Sequence, residues 1–164
     1  MYPDLQGKAV VVTGSSKGIG AAIALRFARE GANVVVNYNG DAQGAEAVVA
    51  QIEAAGAKGV AVQGDMSKEA SATGLVQAAL DAFGRLDVWV NNAGLEIPAH
   101  THEMTLENWQ KIIDVNLTGY FLGARAALQH FVAKGTRAAL SICRRCTSRF
   151  PGRVLPTTRP AKAA

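Results

Sequence analysis

The sequence predicts an α/β fold, a doubly wound parallel sheet that stops after about four strands. Three observations predict it. Short β-branched runs alternate with helical patterns of about 12 to 16 residues, the spacing of strand–helix–strand crossovers. The runs are apolar at consecutive rather than alternate positions, as strands covered on both faces require. A glycine-rich turn joins the first run to the first helical pattern. At 164 residues the chain holds one domain with a real core.

The elements follow in order. KAVVVTG (8–14) is a buried strand closed by Thr-Gly. GIGAAIALRFAREGA (18–32) places Ile19, Ile23 and Phe27 at fourfold spacing, with Gly31 as a stop, and reads as a helix. NVVVNY (33–38) is the second strand, and AQGAEAVVAQIEAAG (42–56) the second helix, ending at Gly56. GVAVQGD (59–65) is the third strand, and Ser67 is placed to cap a third helix running to about Phe83. LDVWVNNAG (86–94) is the fourth strand, ending in a polar turn. From Thr105, a second predicted cap, a long helical pattern runs towards Lys134 with a break near Thr118 and Gly119. Trp89 and Trp109 are expected in the core.

Hydrophobic residues make up 49% and charged residues 18%, a globular rather than disordered balance. The first eight residues, MYPDLQGK, carry no apolar leader, and no apolar run approaches a membrane span, so a cytoplasmic protein without a membrane partner is expected. The net charge of +4 divides sharply by position. Residues 1–136 hold ten Lys/Arg and thirteen Asp/Glu, a net of −3, whereas residues 137–164 hold seven Lys/Arg and no acid, a net of +7. The basic balance therefore belongs to the tail and gives no reason to expect nucleic acid on the domain. His100, His102 and His130 lack the acidic or thiol company a metal site needs, and no metal is assigned.

TGSSKGIG (13–20) lies at a strand-to-helix junction. Gly14, Gly18 and Gly20 let the backbone turn tightly and approach a ligand, while the next helix aims free N–H groups at a pyrophosphate. The plain alternative is a tight turn. Ser15, Ser16, Lys17 and Ile19 complete this candidate cofactor loop.

The spacing Thr-Gly-x-x-x-Gly-x-Gly resembles that of the short-chain dehydrogenase/reductase family, whose fold is Rossmann-like. Three further matches occur in order. Asp65, followed by Met66, stands where the family binds the adenine. NNAG (91–94) ends strand four, where Asn92, Ala93 and Gly94 would line the cofactor cleft. Asn116 in DVNLTG matches the helix asparagine that holds a water in the family's proton relay. Each has a local alternative: Asp65 as a helix cap, Asn91 and Asn92 as turn residues, Asn116 as a polar kink. Within the family, MYPDLQGK, NNAGLE, HEMT and NLTGYFLG look most like the bacterial glucose 1-dehydrogenases, over about residues 1–136. That resemblance implies an oxidoreductase converting β-D-glucose to gluconolactone with NAD or NADP, usually as a homotetramer. Glu96 then stands as a candidate near the sugar, with a solvated loop carboxylate as the alternative. A non-catalytic NAD(P)-binding module and a short-chain reductase for a ketone, sterol or acyl substrate are the competing readings.

Cofactor choice is partly legible. A carboxylate ending strand two would bind the ribose hydroxyls of NAD and repel the phosphate of NADP. Here that end reads Asn37-Tyr38-Asn39, without an acid before Asp41, and Lys17 adds a positive charge. Use of NADP as well as NAD is expected, with Asn37 as the strand-end contact.

The family's chemistry also needs a serine and a Tyr-x-x-x-Lys pair after the fifth strand. This chain has no tyrosine after Tyr120, so Asn116 is the only catalytic position the resemblance transfers. Residues 137–164 instead read as out-of-frame sequence without a defined fold. Back-translated and read one register over from about Arg137, they permit G-R-I-I-N-L-S-S-V-H-E-Q-I-P-W-P-G and then Y-T-A-S-K-G-G, the missing segment. On that reading the Cys143/Cys146 pair and the tail's charge are by-products, and Lys162 is not the active-site lysine. The chain as written is then expected to be inactive, weakly folded, poorly soluble and unable to form the family's tetramer.

Overall fold

The computed structural model of the chain describes residues 3–135 and 139–142. After a 3-10 turn at Pro3–Leu5 come β1 (Ala9–Val12), α1 (Gly18–Arg29), β2 (Asn33–Tyr38), α2 (Ala42–Ala54), β3 (Gly59–Gln63), α3 (Glu69–Phe83) and β4 (Val88–Asn91). Then follow α4 (Leu106–Ile113), a π-helical turn (Asp114–Thr118), α5 (Gly119–Lys134) and β5 (Ala139–Ile142). The strands form one parallel sheet in the order β3-β2-β1-β4-β5. This is the expected doubly wound α/β architecture.

Alternate residues of each central strand supply two separate cores, which is why the strands read as unbroken apolar runs. Val10, Val12, Val34, Val36, Val88 and Val90 face α1 and α2, packing on Ala24, Ala28, Val48 and Ile52. Val11, Val35 and Trp89 face α3 and α5, meeting Leu75, Ala79, Leu122, Ala127 and Phe131. All four residues of β1 are inaccessible to solvent. Each buried valine contributes roughly 1.5–3 kcal/mol relative to exposure, so β1 anchors both layers.

Thr105 caps α4, its hydroxyl accepting the Asn108 N–H at 3.2 Å. Four expectations need correction. Ser67 does not cap α3. The carboxylate of Asp65 accepts the Ser67 N–H at 2.9 Å, and the helix begins two residues later, with Lys68 at the cap position. Trp109 is 54% exposed, because the eight-residue α4 has no buried residue and so no inward face to enclose an indole. On α1 the buried row is Gly20, Ala24 and Ala28, so the predicted stripe is offset by one residue: Ile23 and Phe27 flank the core and Ile19 lies exposed. Small residues win that row because the helix lies close against the sheet.

The fourth correction is β5, which extends the sheet beyond the expected four strands. Ala139 pairs with Val88 and Ile142 with Asn91, and the Ala139 N–H donates to the Asp87 carbonyl at 3.0 Å. The free backbone groups along β4 make any extended apolar segment a suitable partner. All four β5 residues stay exposed. Cys143, Cys146 and Lys162 lie outside the described residues. Among the described residues no helix is long and apolar enough to cross a membrane.

Candidate functional site

The strand order reverses direction between β1 and β4, and a crevice opens beyond the carboxyl ends of these two strands. It is a cleft of about 930 Å³. Gly14, Ser16, Lys17, Gly18, Ile19 and Gly20 line one wall. Asn92, Ala93 and Gly94 come from the end of β4, and Asp65 and Met66 from the end of β3. Twelve of the fourteen residues singled out in the sequence thus meet in this cleft, with Asn37 among them.

The loop after β1 is shaped by close approach. Gly14 has a positive φ of 61°, and a Cβ there would lie 2.7 Å from the Ala93 backbone. A Cβ at Gly20 would run into the Gly14 carbonyl and the Asn92 amide. The glycines therefore leave a cradle that any side chain would fill. Behind it starts α1, whose cap residue Lys17 makes no side-chain cap bond, and whose first turn contains no acid. Such a helix start offers unclaimed N–H groups and a positive dipole end, a seat for an anion.

Buried hydrogen bonds hold the loop in this form. Thr13 was not singled out in the sequence, yet its buried hydroxyl accepts the N–H groups of both Asn92 and Ala93 at 2.9 Å. The Asn92 amide donates back to the Thr13 and Gly14 carbonyls at 2.9 and 3.0 Å. These reciprocal bonds lock the end of β4 to the end of β1. The only sequence signal for Thr13 was its place directly before the first glycine.

Two predicted residues do not line the cleft. Ser15 is wholly buried; its hydroxyl donates to the Val12 carbonyl at 2.7 Å and accepts the Asn37 N–H at 3.1 Å. Asn116 lies in the π-helical turn and is exposed; its Oδ1 accepts the Leu95 N–H at 2.7 Å and its Nδ2 donates to the Leu95 carbonyl at 2.8 Å. Asn37 forms part of the wall, but its amide is engaged internally. Oδ1 accepts the Gly14 N–H at 2.9 Å, and Nδ2 donates to the Gly64 carbonyl at 3.0 Å. Its side chain therefore braces the loop, while Asn39, Gly40 and Asp41 present the strand end to the cleft.

The charged groups at this rim are few. Lys17 Nζ lies 3.9 Å from Asp41 Oδ2, and Asp65 is the other acid lining the cleft. At the far end of the sheet, Arg85 clamps Asp87 with two bonds of 2.6 and 2.7 Å, Lys8 adds a contact at 3.3 Å, and the Ala9 N–H donates at 2.9 Å. Burial pushes the Asp87 carboxyl up, but these four donations outweigh it and leave its pKa below the ordinary value. That cluster joins the starts of β1 and β4 and is structural.

His100 and His102 stack with ring centroids 5.8 Å apart in the loop before α4, and His130 lies edge-on to Phe131 on α5. Among the described residues no three His, Cys, Asp or Glu are grouped to hold a metal ion. Glu96 is exposed in the loop after β4 and does not line the cleft.

The family described as short chain dehydrogenase matches residues 8–143. The chain is 54% identical over 132 residues to 3beta-hydroxysteroid dehydrogenase 1 of Eggerthella lenta, covering 80% of this chain and 51% of that protein. It is 55% identical over 133 residues to glucose 1-dehydrogenase 2 of Bacillus subtilis, covering 80% and 52%. Among solved structures, a short chain dehydrogenase from Burkholderia cenocepacia in complex with NADP superposes with a TM-score of 0.74 at 41% identity, over 76% of this chain and 51% of that one. A doubly substituted short-chain dehydrogenase/reductase from Serratia marcescens gives 0.74 at 40% identity, over 79% and 52%. The chain spans about half the length of each of these relatives.

Proposed function

The chain belongs to the short-chain dehydrogenase family, and on that premise we propose that its cleft is the NAD(P)-binding half of an oxidoreductase site. The reaction class is hydride transfer between the dinucleotide and a hydroxyl or carbonyl substrate. The observation that carries this reading is the glycine cradle at the start of an uncapped α1, set at the switch point between β1 and β4.

The residues fit a dinucleotide. Gly14 and Gly20 keep the loop free of side chains, so a pyrophosphate can reach the first N–H groups of α1. Asp65 spends one carboxylate oxygen on Ser67, leaving the other to accept from an adenine amino group. Thr13 holds Asn92 and Ala93 in place, and the Asn92 amide ties them to the Thr13 and Gly14 carbonyls beside the cleft. When bound, the nicotinamide supplies the hydride acceptor or donor. Asn116 fixes the loop that follows β4 and, in the role the resemblance implies, positions a water of the proton relay.

The substrate proposed for the corresponding full-length enzyme is β-D-glucose, oxidised to gluconolactone; similarity to the Bacillus subtilis glucose 1-dehydrogenase supports it. The comparable similarity to a hydroxysteroid dehydrogenase favours a sterol or other ketone as the second reading. The 164-residue chain itself is proposed to bind cofactor without turnover. It has no tyrosine beyond Tyr120, hence no Tyr-x-x-x-Lys to take the substrate proton. Residues 137–164 are proposed to be out of frame, a reading supported by their lack of any acidic residue and of the Tyr-x-x-x-Lys pair.

Titration of the purified chain with NAD and NADP, followed by calorimetry or nicotinamide fluorescence, tests the binding. Saturable binding to one site is expected, and no binding of either cofactor overturns the reading. Glucose-dependent NAD(P)H formation by the same protein would overturn the proposed inactivity. The coding DNA tests the tail: the shifted register must encode Ser-Ser and Tyr-x-x-x-Lys.

A further inference from the structure

The segment from Asp114 to Tyr120 meets the surroundings of the cleft at several points. Val115 lines the cleft itself. Asn116 holds both backbone groups of Leu95, another lining residue. The Tyr120 carbonyl accepts from the Asn91 amide, at the end of β4, at 3.1 Å. The remaining contact is made by Gly119, which is buried and does not line the cleft. A Cβ there would lie 2.6 Å from the Met66 carbonyl oxygen, so the first turn of α5 rests directly on the Met66 backbone. Met66 is buried and lines the cleft beside Asp65. Asp65 belongs to the same short turn: its carbonyl accepts the Lys68 N–H at 2.9 Å, and its carboxylate accepts the Ser67 N–H at 2.9 Å.

We propose that Gly119 is a positioning residue for the adenine seat: the bare first turn of α5, pressed on the Met66 carbonyl, fixes where Asp65 stands in the cleft. The inference rests on the NAD(P)-binding reading above and gives a role to a residue outside the cleft. A methyl group at position 119 must displace one of two backbones. The start of α5 is held by the bonds of Asn91 and Asn116. The turn at 65–68 leads into α3, whose cap residue Lys68 makes no side-chain cap bond. Met66 is therefore the side that yields, and Asp65 moves with it. A shift of about 0.5–1 Å is enough to break a hydrogen bond from an adenine amino group to the Asp65 carboxylate. Gly123, one turn further along α5, is the internal comparison. A Cβ there would stand 2.7 Å from Asn91 Oδ1 and from the Trp89 ring, with no contact to the 65–66 backbone.

The test compares binding of NAD and of nicotinamide hypoxanthine dinucleotide, in which a carbonyl replaces the adenine amino group. The 164-residue chain is expected to prefer NAD by about three- to tenfold, the effect of one hydrogen bond. In G119A that ratio should fall towards one. G123A should lower the melting temperature and keep the ratio, which separates misplacement of the seat from general destabilisation. A second measurement uses the unsubstituted chain alone, in case G119A does not fold. Saturating NAD is expected to slow hydrogen exchange at residues 65–68 and at 114–120 together, and to leave 128–134 unchanged. Protection confined to 65–68, equal affinity of the unsubstituted chain for the two dinucleotides, or an unchanged ratio in G119A overturns the inference and leaves the cofactor site standing. Failure of the unsubstituted chain to bind either dinucleotide overturns both.

Discussion

The side-chain amide of Asn116 pairs with both backbone groups of Leu95, accepting its N–H at 2.7 Å and donating to its carbonyl at 2.8 Å. One side chain thus substitutes for a strand partner and ties the loop after β4 to the helical segment 21 residues further on. Asn116→Ala is expected to free both groups, speed hydrogen exchange at the Leu95 amide and cost about 1–2 kcal/mol. Asn116→Asp keeps the acceptor and loses the donor, so it should fall between. Exchange mass spectrometry over residues 92–98 reads the effect.

Gly20→Ala places a methyl group against the Gly14 carbonyl, which cannot retreat because Gly14 is itself pressed on Ala93. Destabilisation of about 1–3 kcal/mol is expected, with a displaced glycine loop and weakened NAD(P) binding. Thermal melting and cofactor titration together check it. Normal affinity in a stable variant would show that the cradle is not the cofactor seat.

Trp89, Asn91 and α5 share a buried polar chain. The indole N–H donates to Asn91 Oδ1 at 2.8 Å, and Asn91 Nδ2 donates to the Tyr120 carbonyl at 3.1 Å. Asn91→Leu keeps the branched outline with a bulkier side chain and leaves the indole N–H of Trp89 without its acceptor. A loss of roughly 1–3 kcal/mol is expected, seen as a lower urea midpoint with unchanged slope.

Asp87 titrates below the usual aspartate range in the folded chain, despite burial, because Arg85, Lys8 and the Ala9 N–H favour its charged form. A depressed folded pKa contributes stability that is fully present above the unfolded value, about pH 4, and is lost as pH falls through the folded pKa. Urea unfolding of the parent and Asp87→Asn is therefore expected to differ most at pH 6. The gap should close on acidification below pH 4. A gap that is constant with pH would separate the role of Asp87 from its charge.

The sequence carried most of the sheet and the glycine loop because both depend on local signals. Val10, Val11 and Val12 had to be buried on either side, and Gly14 and Gly20 stand where no side chain fits. What it hid depends on distant partners. Nothing local marks Thr13 as the acceptor of two N–H groups from β4, or shows that the amide of Asn37 is already spent on Gly14 and Gly64. Trp109 reads as core by composition, yet α4 has no buried residue to pack it with. The β5 segment Ala-Leu-Ser-Ile reads as tail because its neighbours are basic and irregular, while the open edge of β4 decides its pairing.

The π-helical turn at Asp114–Thr118 changes the phase of the polypeptide between α4 and α5. Its wider hydrogen-bonded loops accommodate one extra residue, advancing everything beyond it by about 100° around a shared axis. Replacing this turn by a regular α-helical turn of the same length would leave the sequence intact, yet rotate α5 by about that angle and turn the inward row of Leu122, Ala126 and Ala127 away from the sheet. The turn is thus a rotational setting, a single-residue offset that decides which side of a 16-residue helix meets the sheet.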